Sequence, residues 1–163
     1  MKDAIICDVD GTVALMMGKR SPFEYHKADM DEPNQPVIDT VLTMAKAHKC
    51  KLIMLSAREN VELNTPSTDN KHSHTYVNEK YDDLASLTRC WLNTHLGENM
   101  WHQLIMRTAG DYRKDCYVKY DIYNNYIAPR YNVKYVFDDR NQVVDMWRNG
   151  LGLTCFQVAD GNF

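Results

Sequence analysis

The sequence predicts an α/β fold, a mostly parallel sheet covered by helices on both faces. Three observations point there. Short apolar runs of strand length alternate with segments whose apolar residues recur at helical spacing. Two of the apolar runs end in paired acids, at the strand ends where open α/β sheets gather their ligands. No internal repeat or low-complexity tract interrupts the alternation.

The first apolar run, Ala4 to Cys7, ends in Asp8 and reads as a short buried strand followed by an irregular loop. Residues from about 13 to 30 are read as a small flap or cap. Pro33 and Pro36 introduce Val37, Val41, Leu42, Met44 and Ala45, spaced for an amphipathic helix, and Lys51 to Leu55 is the second strand. From Asn60 to Asn78 the chain is polar and too long for an ordinary connection, so 60–78 is read as a mobile lid or a disordered loop.

Tyr81, Leu84, Leu87 or Thr88, Trp91, Leu92 and His95 return to helical spacing. Gln103 to Met106 is the third strand. A helix is predicted from Arg113 to Ile127, stopped by Pro129. Val133 to Phe137 is the fourth strand, ending in Asp138 and Asp139. A helix from about Gln142 to Asn149 and a strand from Leu153 to Val158 complete the pattern, and Trp91, Trp101 and Trp147 are assigned to the core.

At 163 residues the chain has the length of one domain, read here as 1–163, able to bury roughly two thirds of the surface its unfolded form exposes. Its 44% hydrophobic and 25% charged content is that of a soluble globular protein and excludes long disorder or a fibrous repeat. Five scattered cysteines without a CxxC pair suggest neither a disulfide framework nor a zinc ribbon, which fits a reducing compartment. No apolar run approaches the about 20 residues that span a bilayer and no signal peptide is visible, so a cytoplasmic location without membrane contact is expected. The net charge of −3 argues against a broad electrostatic grip on nucleic acid; any such contact must be local.

The sharpest local signal is Asp8-Val9-Asp10-Gly11-Thr12 directly after an apolar strand. Two carboxylates two positions apart can face one side and invite a cation, and Gly11 permits a tight departure. An isolated Asp-Gly pair would be ordinary turn chemistry. The pair Asp138-Asp139 ends another strand, and in a parallel sheet both pairs emerge at one edge. Arg140 could pair locally in a solvated turn, yet converging acids without His or Cys partners favour magnesium over zinc. Asp8, Asp10, Asp138 and Asp139 are therefore the candidate metal ligands.

Ser56, at the end of its strand, with Ala57 and Arg58 brings a hydroxyl, main-chain amides and a guanidinium to the same edge, all able to hold phosphate oxygens. Lys119 follows Asp115 by four residues, which suits a local ion pair. Arg113 and Lys114 in a first helical turn are disfavoured by the helix dipole; a bound anion, or salt bridges to Asp111 or Asp115, would account for them. His72 and His74 lack a third ligand and read as solvated loop residues. Tyr117, Tyr120, Tyr123, Tyr126 and Tyr131 could stack on bases but are more simply packing and rim residues.

In this order and spacing, Asp8 to Thr12, Ser56, Lys119 and Asp138-Asp139 resemble the four motifs of the haloacid dehalogenase superfamily, over the whole chain. Ala57 to Glu59, Arg113 to Lys119 and the string from Asp138 to Phe163 are similar to the 3'-phosphatase half of phage polynucleotide kinase-phosphatase. The resemblance implies a Rossmann-like sheet and Mg2+ as cofactor. It implies Asp8 as nucleophile, Asp10 as general acid and then base, Ser56 and Lys119 as phosphate holders, and Thr12, Arg58, Arg113 and Asp115 as substrate-side supports. Neighbouring carboxylates would raise the pKa of Asp10.

The implied reaction is removal of a 3'-phosphate from a polynucleotide end through phospho-Asp8. A phosphatase of free nucleotides or another small phosphate metabolite is the alternative, and a module that only binds phosphorylated ends ranks below both. The partner is thus a 3'-phosphorylated nucleic acid end or a nucleotide. Leu15 to Lys27, with Lys19, Arg20, Phe23, Tyr25 and His26, has a composition suited to gripping it. The nearest match to a GxxxxGK[ST] loop, Gly11 to Arg20, has the wrong spacing and ends in Arg20, so kinase activity is not expected unless a separate chain supplies it.

Overall fold

A computed structural model describes residues 1–65 and 76–163. Along the chain, β1 (Lys2–Asp8) is followed by the two-residue strand β2 (Ala14–Leu15), a 3-10 turn over Tyr25–Met30, and β3 (Glu32–Pro33). Then α1 (Gln35–Ala47) leads to β4 (Lys51–Glu59), and α2 (Leu84–Leu96) to β5 (Gln103–Arg107). The helix α3 (Asp115–Ile122) widens into a π turn over Tyr123–Ile127 before β6 (Tyr131–Asp138). Finally α4 (Asn141–Asp145) passes through a second π turn, Met146–Gly150, to β7 (Cys155–Gln157).

All five long-sheet strands are parallel, in the order β5-β4-β1-β6-β7, while β2 and β3 pair antiparallel as a separate small sheet at the base of the flap. Alternation along β1 dictates the layers. Ile5 and Cys7 join Leu52, Met54, Ile38, Val41, Trp91 and Leu92, so one face is covered by α1 and α2. Ala4 and Ile6 join Ile53, Leu55, Val118, Ile122, Val136 and Trp147, so the other is covered by α3 and α4. Each fully buried Ile or Leu in these layers contributes about 2 kcal/mol of transfer free energy. The N-terminus of α2 is capped by Asp83, whose carboxylate accepts the Ser86 amide at 2.7 Å.

The strand order places the chain's reversal at β1, whose neighbours β4 and β6 lead outward in opposite directions. That is where an open sheet leaves a crevice beyond its strand ends. Residues Asp8, Ser56 and Asp138 are all brought to it.

Several boundaries differ from those the sequence predicts. β4 continues past Ser56 to Glu59. The helix expected from Arg113 begins only at Asp115, because Arg107 of β5 donates to the main-chain carbonyls of Asp111 and Arg113 at 2.8 and 2.7 Å and holds that loop outside the helix. Arg113 therefore never meets a helix dipole; it pairs with Asp111 and Asp121. Two ends of the segment expected to form a lid are tied together, the Asn78 amide donating to the Asn64 side-chain oxygen at 2.8 Å. The rest of that expectation, with His72 and His74, falls on residues 66–75, outside the described residues. No helix among the described residues is long and apolar enough to cross a membrane.

Candidate active site

Asp8 ends β1 and is nearly sealed from solvent. Its Oδ2 accepts the Thr12 hydroxyl at 2.9 Å, and its Oδ1 accepts Lys119 Nζ at 2.7 Å. Thr12 reaches back because the amides of Thr12, Val13 and Ala14 all converge on the Val9 carbonyl, winding the chain tightly after the strand. Lys119, on the buried face of α3, also donates to Asp138 Oδ2 at 2.8 Å and so links the ends of β1 and β6.

Asp138 is fixed from every side. The Asp139 amide donates to its Oδ1 at 3.0 Å, and the indole Nε1 of Trp147 donates to its Oδ2 at 3.2 Å. Asp139 packs directly onto Gly11: with φ at +78° the glycine turns the chain, and a Cβ there would stand 2.1 Å from Asp139 Oδ2. Gly161 is equally constrained, since its Cβ would lie 1.9 Å from the Asp139 carbonyl.

Asp10 points elsewhere. Arg58 grips it with Nε to Oδ2 and Nη2 to Oδ1, both at 2.8 Å, and Arg20 adds a contact at 3.0 Å. Behind the two guanidiniums lies Asp31, with a fully buried side chain, which accepts from Arg20 at 2.7 Å and from Arg58 at 2.9 Å. Sequence reasoning gives Asp31 no role, and Arg20 none beyond its place in a grip. The only signal in one dimension is two opposite charges a loop's length apart, a pattern that surface loops share. The flap is not a free grip: Arg20 and Tyr25 are buried, Lys19 pairs with Glu32 and Lys27 with Glu24.

Electrostatics separate the two acids of the first pair. Burial raises the pKa of Asp8, Lys119 pulls it down, and Asp138 and Asp139 raise it further, leaving it well above the usual carboxylate range. Burial and Asp138 push Asp139 up to about 6. Burial would also raise Asp10, but Arg58 and Arg20 outweigh it and hold Asp10 below its ordinary value, which corrects the expectation that neighbouring carboxylates raise it. Lys119 loses some basicity to burial and regains more from Asp138 and Asp8, so it stays an ammonium.

Asp8, Asp138 and Asp139 each present an oxygen, all within 4.8 Å of one another, with one ammonium beside three buried carboxylates. An all-oxygen, under-neutralised set of this kind fits a hard divalent ion. The carboxylate of Asp10 lies with its guanidiniums instead.

The remaining candidates surround these acids. Ser56 is fully buried, its Oγ accepting the Arg58 amide at 3.1 Å, while Ala57, Arg58 and Glu59 form the cavity wall at that edge. Asp115 pairs with Arg107 and, at 2.6 Å, with Arg140, whose Nε donates to the Phe163 carbonyl at 2.8 Å. Arg113 and Lys114 stand at the rim. Apart from Ser56, which lies behind the wall, these groups line a cavity of about 570 Å3 with Asp8 and Lys119 in its wall and Phe23, Tyr112 and Phe163 toward its mouth.

Comparison with known proteins gives the arrangement its family. Residues 2–163 match the phosphatase domain of polynucleotide kinase PNKP. The chain is 34% identical over 157 residues to a protein of Autographa californica nuclear polyhedrosis virus described as a putative bifunctional polynucleotide kinase/RNA ligase, covering 96% of this chain and 19% of that protein. Two solved structures, of a Pnkp1/Rnl/Hen1 complex and of the Pnkp1/Rnl/Hen1 RNA repair complex, are 39% identical to it with a TM-score of 0.78. They cover 100% and 99% of this chain but only 48% and 44% of their own. The chain thus spans less than half the length of each of these relatives, and within that span it belongs to the haloacid dehalogenase-type phosphatase-domain family of polynucleotide kinase.

Proposed function

We propose that this chain removes the 3'-phosphate from polynucleotide ends, with Asp8 as the nucleophile and Mg2+ as the cofactor. The observation that carries the reading is the placing of Asp8 against Lys119 in the cavity wall, with Asp10 held in the same cavity by Arg58. Two of the relatives support the substrate class, since one is described as a polynucleotide kinase/RNA ligase and another belongs to an RNA repair complex.

Asp8 Oδ attacks phosphorus, forming an acyl phosphate while the bond from phosphorus to the 3' oxygen breaks. Asp10 supplies the proton that the departing oxygen takes. At rest the guanidiniums hold Asp10 as a carboxylate; an anionic phosphate entering the cavity opposes them and draws Asp10 toward protonation. A water then attacks phosphorus and gives its proton to Asp10, the bond to Asp8 breaks, and inorganic phosphate leaves. Lys119 stabilises the equatorial charge, and Arg58 with the main chain around Ser56 orients the phosphoryl oxygens. Asp8, Asp138 and Asp139 would hold the magnesium ion, whose charge would favour the ionised form of Asp8 against its burial and offset the repulsion between two anions. Thr12 keeps the attacking carboxylate in one rotamer. Arg113 and Asp115 act from the rim, Asp115 by fixing Arg107 and Arg140.

A second reading, hydrolysis of free nucleotides, is favoured by the cavity's volume, which suits a small molecule. The test is phosphate release by the protein and by Asp8→Asn from a 3'-phosphorylated oligonucleotide and from 3'- and 5'-mononucleotides, with and without Mg2+. Preference for the oligonucleotide, lost in the variant and on metal removal, sustains the proposal. Turnover of mononucleotides alone replaces it with the second reading.

A further inference from the structure

A second concavity, of about 870 Å3, follows β5, the strand at the sheet's edge. Its floor is Gln103 to Arg107, a run of about 13 Å at strand rise. One wall comes from α2 through Arg89, the other from α3 and the π turn through Asp121 and Tyr126, with Arg130 beyond. The catalytic reading gives this groove no task.

Its charge is opposite to that of the chain. Four arginines, Arg89, Arg107, Arg113 and Arg130, line it against two carboxylates, Asp111 and Asp121, in a protein of net charge −3. Both carboxylates are already taken by Arg113. Arg89 and Arg130 are exposed and have no ion pair among the described residues; the Arg130 guanidinium donates to the Tyr126 carbonyl at 2.8 Å. These two cations come from opposite faces of the sheet and converge on one groove. The groove also adjoins the active-site cavity, since Arg107 and Arg113 stand in the walls of both.

We infer that this groove holds the single-stranded nucleotides that precede the scissile 3'-phosphate, a step that rests on the polynucleotide reading above. Arg89 and Arg130 are placed to take backbone phosphates, and Tyr126, 54% exposed beside Arg130, offers a ring on which a base can stack. An edge strand can also accept an extended peptide. The excess of cations and the shared wall with the active-site cavity favour the polynucleotide.

The experiment compares the protein with an Arg89→Ala/Arg130→Ala double variant, whose surface changes leave the core intact, with thermal melting to confirm it. kcat/KM is measured on 3'-phosphorylated single strands of one, two, four and eight nucleotides at two salt concentrations. Efficiency should climb with length in the parent. The variant should lose about tenfold or more on the longer strands through KM, with mononucleotide turnover unchanged, and a shallower salt dependence. Oligonucleotide turnover with no length dependence, or with one the variant keeps, overturns the groove alone. Absence of any oligonucleotide turnover defeats the underlying reading instead, and a groove that binds an acidic peptide but no oligonucleotide overturns the choice of occupant.

Discussion

Arg58 and Asp10 meet through two parallel contacts, Nε to Oδ2 and Nη2 to Oδ1, each at 2.8 Å, although 48 residues separate them in the chain. The same guanidinium reaches Asp31 and the Thr88 hydroxyl, so four of its five N–H donors are engaged by these residues. A fork of fixed geometry is what holds the Asp10 carboxylate in one orientation and in its charged form.

Replacing Arg58 by Lys keeps the charge and removes the fork. The expected result is a fall in kcat of about tenfold to a hundredfold, with a smaller change in KM, because Asp10 loses its orientation while Arg20 and Asp31 still pair. Steady-state kinetics on a 3'-phosphorylated oligonucleotide decide it, and an unchanged kcat would remove the positioning role.

Gly11→Ala would set a Cβ at 2.1 Å from Asp139 Oδ2 in a backbone conformation that disfavours side chains. Asp139 must then move. The magnesium concentration for half-maximal activity should rise about tenfold or more, accompanied by a lower melting temperature. A magnesium titration of activity, paired with a melting curve, reads both effects.

Trp147→Phe preserves most of a fully buried ring and deletes the N–H that reaches Asp138. A loss of about 1–3 kcal/mol in stability is expected, together with half-maximal activity reached only at higher magnesium. Equal magnesium curves for parent and variant would make Trp147 a packing residue alone.

Tyr25 is buried against Tyr76 and the α2 residues Leu84 and Leu87, and burial with the nearby Glu59 carboxylate raises its pKa to about 12. The sign follows from linkage. The unfolded phenol ionises near its ordinary value of about 10 while the folded one stays neutral, so the stability present below about pH 10 declines as pH rises from about 10 to about 12. Tyr25→Phe should melt lower than the parent at about pH 8 and show a flatter decline between about pH 10 and 12. Melting temperatures across that range supply the comparison.

Most of the sheet is legible in the linear sequence. Apolar runs such as Ala4 to Cys7, bounded by acids, specify buried strands through composition and length, which act locally. The helix start at Asp115 is not legible in that way, since it depends on Arg107 seizing two carbonyls from another element. The candidate acids Asp8, Asp138 and Asp139 stand out because strand ends in a parallel sheet converge. Arg20 and Asp31 escape notice because buried and solvated ion pairs look alike in one dimension. Trp147 reads as core, which it is, but its N–H has a second purpose that hydrophobicity cannot reveal.

The layers, the strand ends and the acids that gather there are thus written in the order of the residues, because periodicity and apolar run length are properties of chain neighbours. Which charges meet is settled only once the chain has folded. Folding brings Lys119 to Asp8 and Asp138, gives Asp10 to two guanidiniums rather than to its neighbouring acids, and leaves Arg89 and Arg130 without a carboxylate among the described residues. Those outcomes depend on distances across the fold and on desolvation at each contact, and the energy of a charge pair is set by both.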